Sequence, residues 1–175
     1  MAGVKTVTEL LNLFIDPSIV PDVIIGPSHF SIEYGNLRML RTASGETPHI
    51  EVISPGVDVH KFKSSKSITE KFRDAITIAY FGRLAIEKNV GLFLLAASEL
   101  LKKNALLRFV IIGDGDIKED LQELSRRLEI NWGVHFTGML SGDQLIETLE
   151  TVDIAINPSL RAWSETFCIA NIEVV

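Results

Sequence analysis

The sequence has one cysteine, Cys168, in 175 residues. No internal disulfide can form, and a reducing compartment is the expectation. No apolar run reaches the roughly 18 residues that a bilayer span requires. A basic excess is also missing. The formal net charge is −6, whereas a chain steered to DNA or RNA carries a basic surface, so nucleic acid is not expected as the main partner. Neither GxGxxG nor GxxxxGK[ST] occurs, which disfavours a dinucleotide-binding oxidoreductase and a P-loop enzyme. Internal repeats and low-complexity segments are absent. The N-terminal stretch MAGVKTVTELLNLFIDPS has a single lysine, and Glu9 and Asp16 interrupt its apolar run. It reads as an amphipathic helix with Leu10, Leu11 and Phe14 on one face, not as a signal peptide.

What is present suits a soluble globular chain. Apolar residues make up 46% and charged residues 23%, enough for one packed core or for one small domain plus part of another. The first third is the less regular. VPDVIIGPS predicts a strand from Asp22 to Gly26, stopped by Gly26 and Pro27. SIEYGNLRMLRTAS predicts a helix interrupted at Gly35. Ile50, Val52 and Ile53 form an apolar run before the Pro55-Gly56 turn. Residues 63–75, KSSKSITEKFRDA, read as a polar linker.

From Thr77 onward, strand and helix alternate four times. TIAYF, LRFVIIG, VHFTG and VDIAINPS predict short strands, nearly all apolar, as expected when helices cover both faces of a sheet. Asn89 to Lys103 predicts a helix with a wide apolar face. Ile117, Leu121, Leu124 and Leu128 recur at helical spacing, and Leu145, Ile146 and Leu149 mark a third inward stripe. TFCIANIEVV opens a fourth helix. The pattern is α/β, a doubly wound Rossmann-like parallel sheet in which the fourth strand lies beside the first. Ligands in such sheets bind beyond the C-terminal strand ends, which singles out four loops.

The first loop is FGRLAIEKN. Gly82 permits close backbone approach. Arg83 and Lys88 flank the entrance to a helix whose free N–H groups favour an anion, a pair of cations suited to a diphosphate. A surface ion pair with Glu87 is the plain alternative. The second loop is GDGD. Asp114 and Asp116 could hold a divalent metal, but a tight turn with Asp116 capping the helix from Ile117 is favoured. Gly113 and Gly115 could also make room for a ligand. In the third loop, FTGML, Gly138 leaves backbone groups for a planar base, and Ser141 serves equally well as an N-cap. The fourth, NPSLRAWSETF, leads to Glu165 and Glu173. Eight helical residues rise about 12 Å, more than the ~5–9.5 Å between paired glycosidase carboxylates. These glutamates could instead hold two parts of one long ligand, a ribose at Glu173 and a sugar at Glu165. The alternative is a helix-start acid and a solvated one.

Taken together, GRLAIEKN, GDG, Phe136-x-Gly138 and SETFCIANIE resemble the C-terminal domain of retaining glycosyltransferases with the two-Rossmann-domain (GT-B) architecture. They are most similar to family 4, the glycosyltransferase group 1 domain. Asn89 stands where the family usually has glycine, and so does Cys168 in its Ser-Glu-x-Phe-Gly hallmark. PSHF and ISPGVDVHKF resemble the end of the first domain and the crossing segment, so the likeness covers about residues 22–175.

The resemblance implies residues 1–55 as a remnant of an acceptor-side domain, 56–76 as the interdomain crossing and 77–175 as an incomplete nucleotide-sugar-binding domain. It implies a donor site of Gly82, Arg83, Lys88, Gly113, Gly138, Glu165, Thr166, Phe167 and Glu173. Arg83, Lys88 and Glu165 would act in catalysis, without metal or cofactor. The donor would be a nucleoside diphosphate sugar of unassigned base, the acceptor a carbohydrate or a lipid-linked sugar. The expected location is the cytoplasm, or the cytoplasmic face of a membrane reached through the first domain. The resemblance also implies a piece of a longer enzyme, cut beyond Glu173 and with little activity of its own. A non-catalytic nucleotide-sugar-binding module is the rival reading.

Overall fold

The strands form where short apolar runs can be buried on both sides at once. In the computed structural model, which describes residues 7–9, 20–34, 37–58, 60 and 75–159, seven parallel strands make two separate sheets. The described residues up to Gly56 belong to one compact unit and those from Val57 to a second.

In the first unit, β1 (Val7–Glu9), β2 (Val23–Gly26) and β3 (His49–Val52) lie side by side in that order. Helix α1 (His29–Tyr34) packs Ile32 against Ile24 of β2. It sits so close that a Cβ on Gly26 would lie 2.8 Å from the Ile32 side chain. The helix starts with a reciprocal cap, in which Ser31 N–H donates to the Ser28 hydroxyl and Ser28 N–H to that of Ser31. Strand β1 corrects the expectation of an N-terminal helix at its start. Val7 pairs with Val23 and Glu9 with Ile25, and long-range pairing overrides weak local helical periodicity. Leu10, Leu11 and Phe14 lie outside the described residues, as do Gly35 and most of the 63–75 stretch.

The second unit is the doubly wound sheet. Its strands are β4 (Thr77–Phe81), β5 (Arg108–Ile112), β6 (Val134–Gly138) and β7 (Ile154–Ala155). They run in the order β6-β5-β4-β7, so the fourth strand lies beside the first as expected. Helices α2 (Val90–Leu101) and α3 (Lys118–Arg127) cover one face, and α4 (Gly142–Leu149) packs on the other. Ile78, Tyr80, Phe109 and Ile111 point toward Val90, Phe93, Leu94 and Leu121, while Ala79 and Ile112 point toward Leu145 and Leu149. Phe93 packs edge-on against Phe109, with ring centroids 5.7 Å apart. This two-sided burial is why β4 and β5 read as continuous apolar runs, not as alternation. In α3, Glu119 and Asp120 fill the first turn and Arg126 and Arg127 the last, matching the helix dipole.

Strand β7 is shorter than its sequence suggests. Asp153 fixes its start, since its carboxylate accepts the Thr77 N–H at 2.8 Å. Pro158, which has no N–H to donate, lies shortly beyond its end. Among the described residues, no helix is long and apolar enough to cross a membrane.

Candidate functional site

Three loops leave the C-terminal ends of β4, β5 and β6, and backbone hydrogen bonds stitch them together. Gly82 N–H donates to the Ile112 carbonyl and Leu84 N–H to that of Asp114, each at 2.9 Å. Gly113 N–H donates to the Gly138 carbonyl, also at 2.9 Å. Contact this close leaves no space for side chains. A Cβ on Gly113 would lie 2.0 Å from the Gly82 oxygen, and one on Gly115 2.2 Å from the Leu84 oxygen. These two glycines therefore make room for the neighbouring loop.

A register shift between β5 and β6 brings the third loop in. Ile111 pairs with Phe136 and Ile112 with Gly138, so Thr137 is skipped. Its hydroxyl donates to the Gly138 carbonyl at 2.9 Å. Such a bulge re-aims the chain at a strand end. That carbonyl thus already accepts from Gly113 and Thr137, although the sequence suggested backbone groups open to a base here. Ser141 occupies the N-cap position of α4 without a side-chain capping bond.

A cleft of about 430 Å³ opens over these strand ends. Phe81, Gly82 and Arg83 line it from the first loop, Gly113, Asp114 and Gly115 from the second, and Met139 and Leu140 from the third. Its size suits a small ligand, and apolar walls with a few charged groups are the usual composition of such sites. Arg83 brings positive charge to the wall. Its carbonyl is held by the hydroxyl of buried Tyr80 at 2.7 Å. Its side chain, 64% exposed, pairs with Glu87 through Nη2 and Oε1 at 2.7 Å. The ion pair foreseen as the plain alternative therefore does form, on the residue that lines the cleft. Lys88 is half-buried on the short 3-10 turn Ile86–Lys88, outside the lining of the cleft.

Asn89 follows at φ 53° and ψ 37°. Left-handed geometry favours glycine and tolerates asparagine, which accounts for Asn89 at a position where glycine was the expected type. Its side-chain N–H also donates to the Pro158 carbonyl at 3.3 Å, tying the first loop to the chain beyond β7.

The GDGD turn departs from expectation. Asp116 does not cap the following helix, whose N-cap is Ile117, with no side-chain capping bond. Instead Asp114 organises the turn, accepting Lys118 Nζ at 2.6 Å and Gly115 N–H at 2.9 Å. The i,i+4 spacing of Asp114 and Lys118 is the signal in the sequence that points to this pair. Tyr80 carried no signal at all, since a buried strand tyrosine is ordinary core. Among the described residues, no group of three or more His, Cys, Asp or Glu is placed to hold a metal ion. Glu165, Thr166, Phe167, Cys168 and Glu173 lie outside the described residues.

The Lys118 ammonium, followed by the Gly115 N–H, holds the Asp114 carboxyl below the usual carboxylate range. A depressed folded-state pKa adds stability above the unfolded value of about 3.9, and that stability is lost as pH falls through the folded value. Asp114→Asn is therefore expected to be less stable than the parent at pH 7, with the gap closing at pH values below about 4. Urea midpoints measured across that range check this, and a pH-independent gap would refute it.

The family model described as Glycosyl transferases group 1 matches residues 61–175. Over 118 residues the chain is 28% identical to alpha-monoglucosyldiacylglycerol synthase of Streptococcus pneumoniae, covering 62% of this chain and 27% of that protein. It is 31% identical over 153 residues to a phosphatidylinositol N-acetylglucosaminyltransferase component of Arabidopsis thaliana, covering 87% of this chain and 32% of that protein. The chain thus spans about a third of these relatives' length or less. Among solved structures it resembles Anabaena Alr3699/HepE in complex with UDP and glucose. There the TM-score is 0.69 at 20% identity, over 87% of this chain and 41% of that one. At that identity the likeness is one of fold, the parallel α/β sheet of a Rossmann-like GT-B domain.

Proposed function

This chain belongs to the glycosyl transferases group 1 family, and from that premise we propose that its cleft binds the nucleoside diphosphate of a sugar donor. The protein would transfer a hexosyl unit from that donor to a carbohydrate or lipid-linked acceptor, with retention of configuration. The observation that carries the reading is the cleft itself. It sits where doubly wound sheets take ligands, within the stretch that matches the family model, and Arg83 stands in its wall.

In this reading the Arg83 guanidinium grips phosphate oxygens with its forked donors. Met139 and Leu140 offer apolar contact to the rest of the nucleotide. When the bond between sugar and diphosphate breaks, negative charge grows on the departing phosphate, and a cation held beside it stabilises that charge. Lys88 is assigned the second cationic role, Glu173 the ribose and Glu165 the transferred sugar, on the family pattern. A front-face displacement would then keep the anomeric configuration. UDP is the first nucleotide to test, because a structure of similar fold was solved with UDP and glucose.

Calorimetric titration of the chain with UDP, GDP and ADP, and with their hexose conjugates, tests the reading. Saturable binding of one nucleoside diphosphate is the expected result. A folded chain that binds none of them would refute the donor-site proposal.

A further inference from the structure

We infer that Glu87 is a positioning residue that holds the Arg83 guanidinium ready for a diphosphate, an inference that rests on the donor-site reading above. The backbone around Arg83 is well fixed. Tyr80 donates to its carbonyl, and the N–H groups of Gly82 and Leu84 on either side are bonded to the end of β5 and to the second loop. The side chain has no such support from packing, because most of it is exposed. A free arginine samples many rotamers, and ordering it opposes binding. Glu87 supplies the constraint. It belongs to the 3-10 turn, lies outside the lining of the cleft, and takes one guanidinium nitrogen at 2.7 Å. A guanidinium has five N–H donors in a rigid fork. One contact at Nη2 leaves another edge to meet a phosphate.

An acid next to a phosphate-binding cation could instead repel the ligand or compete for the arginine. The hydrogen bond decides between these effects. The Glu87 side chain is 30% exposed, and the guanidinium nitrogen it holds at 2.7 Å offsets its charge, while the remaining guanidinium donors stay available to a phosphate. The Arg83 side chain is 64% exposed, so the pair adds little to stability and its removal leaves the fold intact.

Titrations of the parent, Glu87→Ala, Glu87→Gln, Arg83→Ala and the Arg83→Ala/Glu87→Ala double variant with UDP, GDP and ADP test the role. Glu87→Ala is expected to weaken binding about fivefold, the scale of ordering one long side chain. Glu87→Gln keeps an oxygen acceptor in place and should stay within about twofold of the parent. Once Arg83 is gone, Glu87→Ala should change nothing further, because the two residues act as one unit. Unchanged or tighter binding by Glu87→Ala, or an equal loss in the Arg83→Ala background, overturns the positioning role while leaving the donor site standing. Failure of the parent chain to bind any of the three overturns both.

Discussion

Replacing Arg83 with alanine is expected to weaken nucleoside diphosphate binding by roughly ten- to a hundredfold, the equivalent of a charged hydrogen-bonding partner worth about 1.5–3 kcal/mol. Arg83 is the cation that lines the cleft, and its backbone is pinned on both sides and at its own carbonyl. A diphosphate bound there would meet the guanidinium directly. Arg83→Lys should recover only part of the loss, since an ammonium restores the charge but not the two-pronged grip. Thermal stability should hardly change, because the side chain is largely exposed and paired only at the surface. Calorimetry on folded variants separates these outcomes. Affinity that survives the removal of Arg83 would mean that the nucleotide's phosphates lie elsewhere.

Gly113→Ala should have the larger effect on the fold, a loss of about 3 kcal/mol or more from strain and overlap combined. The residue sits at φ +139°, where side chains are strained, and its new Cβ would lie 2.0 Å from the Gly82 carbonyl oxygen. That oxygen belongs to backbone, and the Gly82 N–H is already bonded to the Ile112 carbonyl. The loop therefore cannot swing aside without giving up bonds that support the cleft. Gly138→Ala is the internal comparison. Its φ of +76° is also strained, yet the nearest atom is the end of the Lys118 side chain at 3.6 Å. It should cost about 1 kcal/mol, from backbone conformation alone. Urea unfolding followed by circular dichroism ranks the two. Equal midpoints for parent and Gly113→Ala would show that the loops are not packed as described.

Much of the second unit was legible because its signals are strong and local. Four apolar runs of strand length, separated by helices at a 3.6-residue period, leave few arrangements other than a parallel sheet covered on both faces. The ordered segments GRLAIEKN, GDG, Phe136-x-Gly138 and SETFCIANIE led to the family that the 61–175 match supports. Three of the four loops singled out in the sequence do follow β4, β5 and β6, and most of the fourth lies outside the described residues. The roles inside those loops were harder to read. Asp116 looked like the cap, but Asp114 organises the turn through a lysine one helical turn away. Val7–Glu9 looked helical, but a partner strand sixteen positions on claims it.

The sequence by itself therefore determined the alternation of elements, the order of strands, the family and the cation at the cleft. Each of these rests on local pattern or on residue identity in order. Tertiary structure alone decided why the second loop carries glycine at Gly113 and Gly115, each packed against the backbone of the first loop, and how Gly113 is bonded to Gly138 of the third. Those facts depend on backbones that approach from positions about 25 to 30 residues apart. Van der Waals exclusion and hydrogen bonding act on that distance in space, and no periodicity along the chain records it.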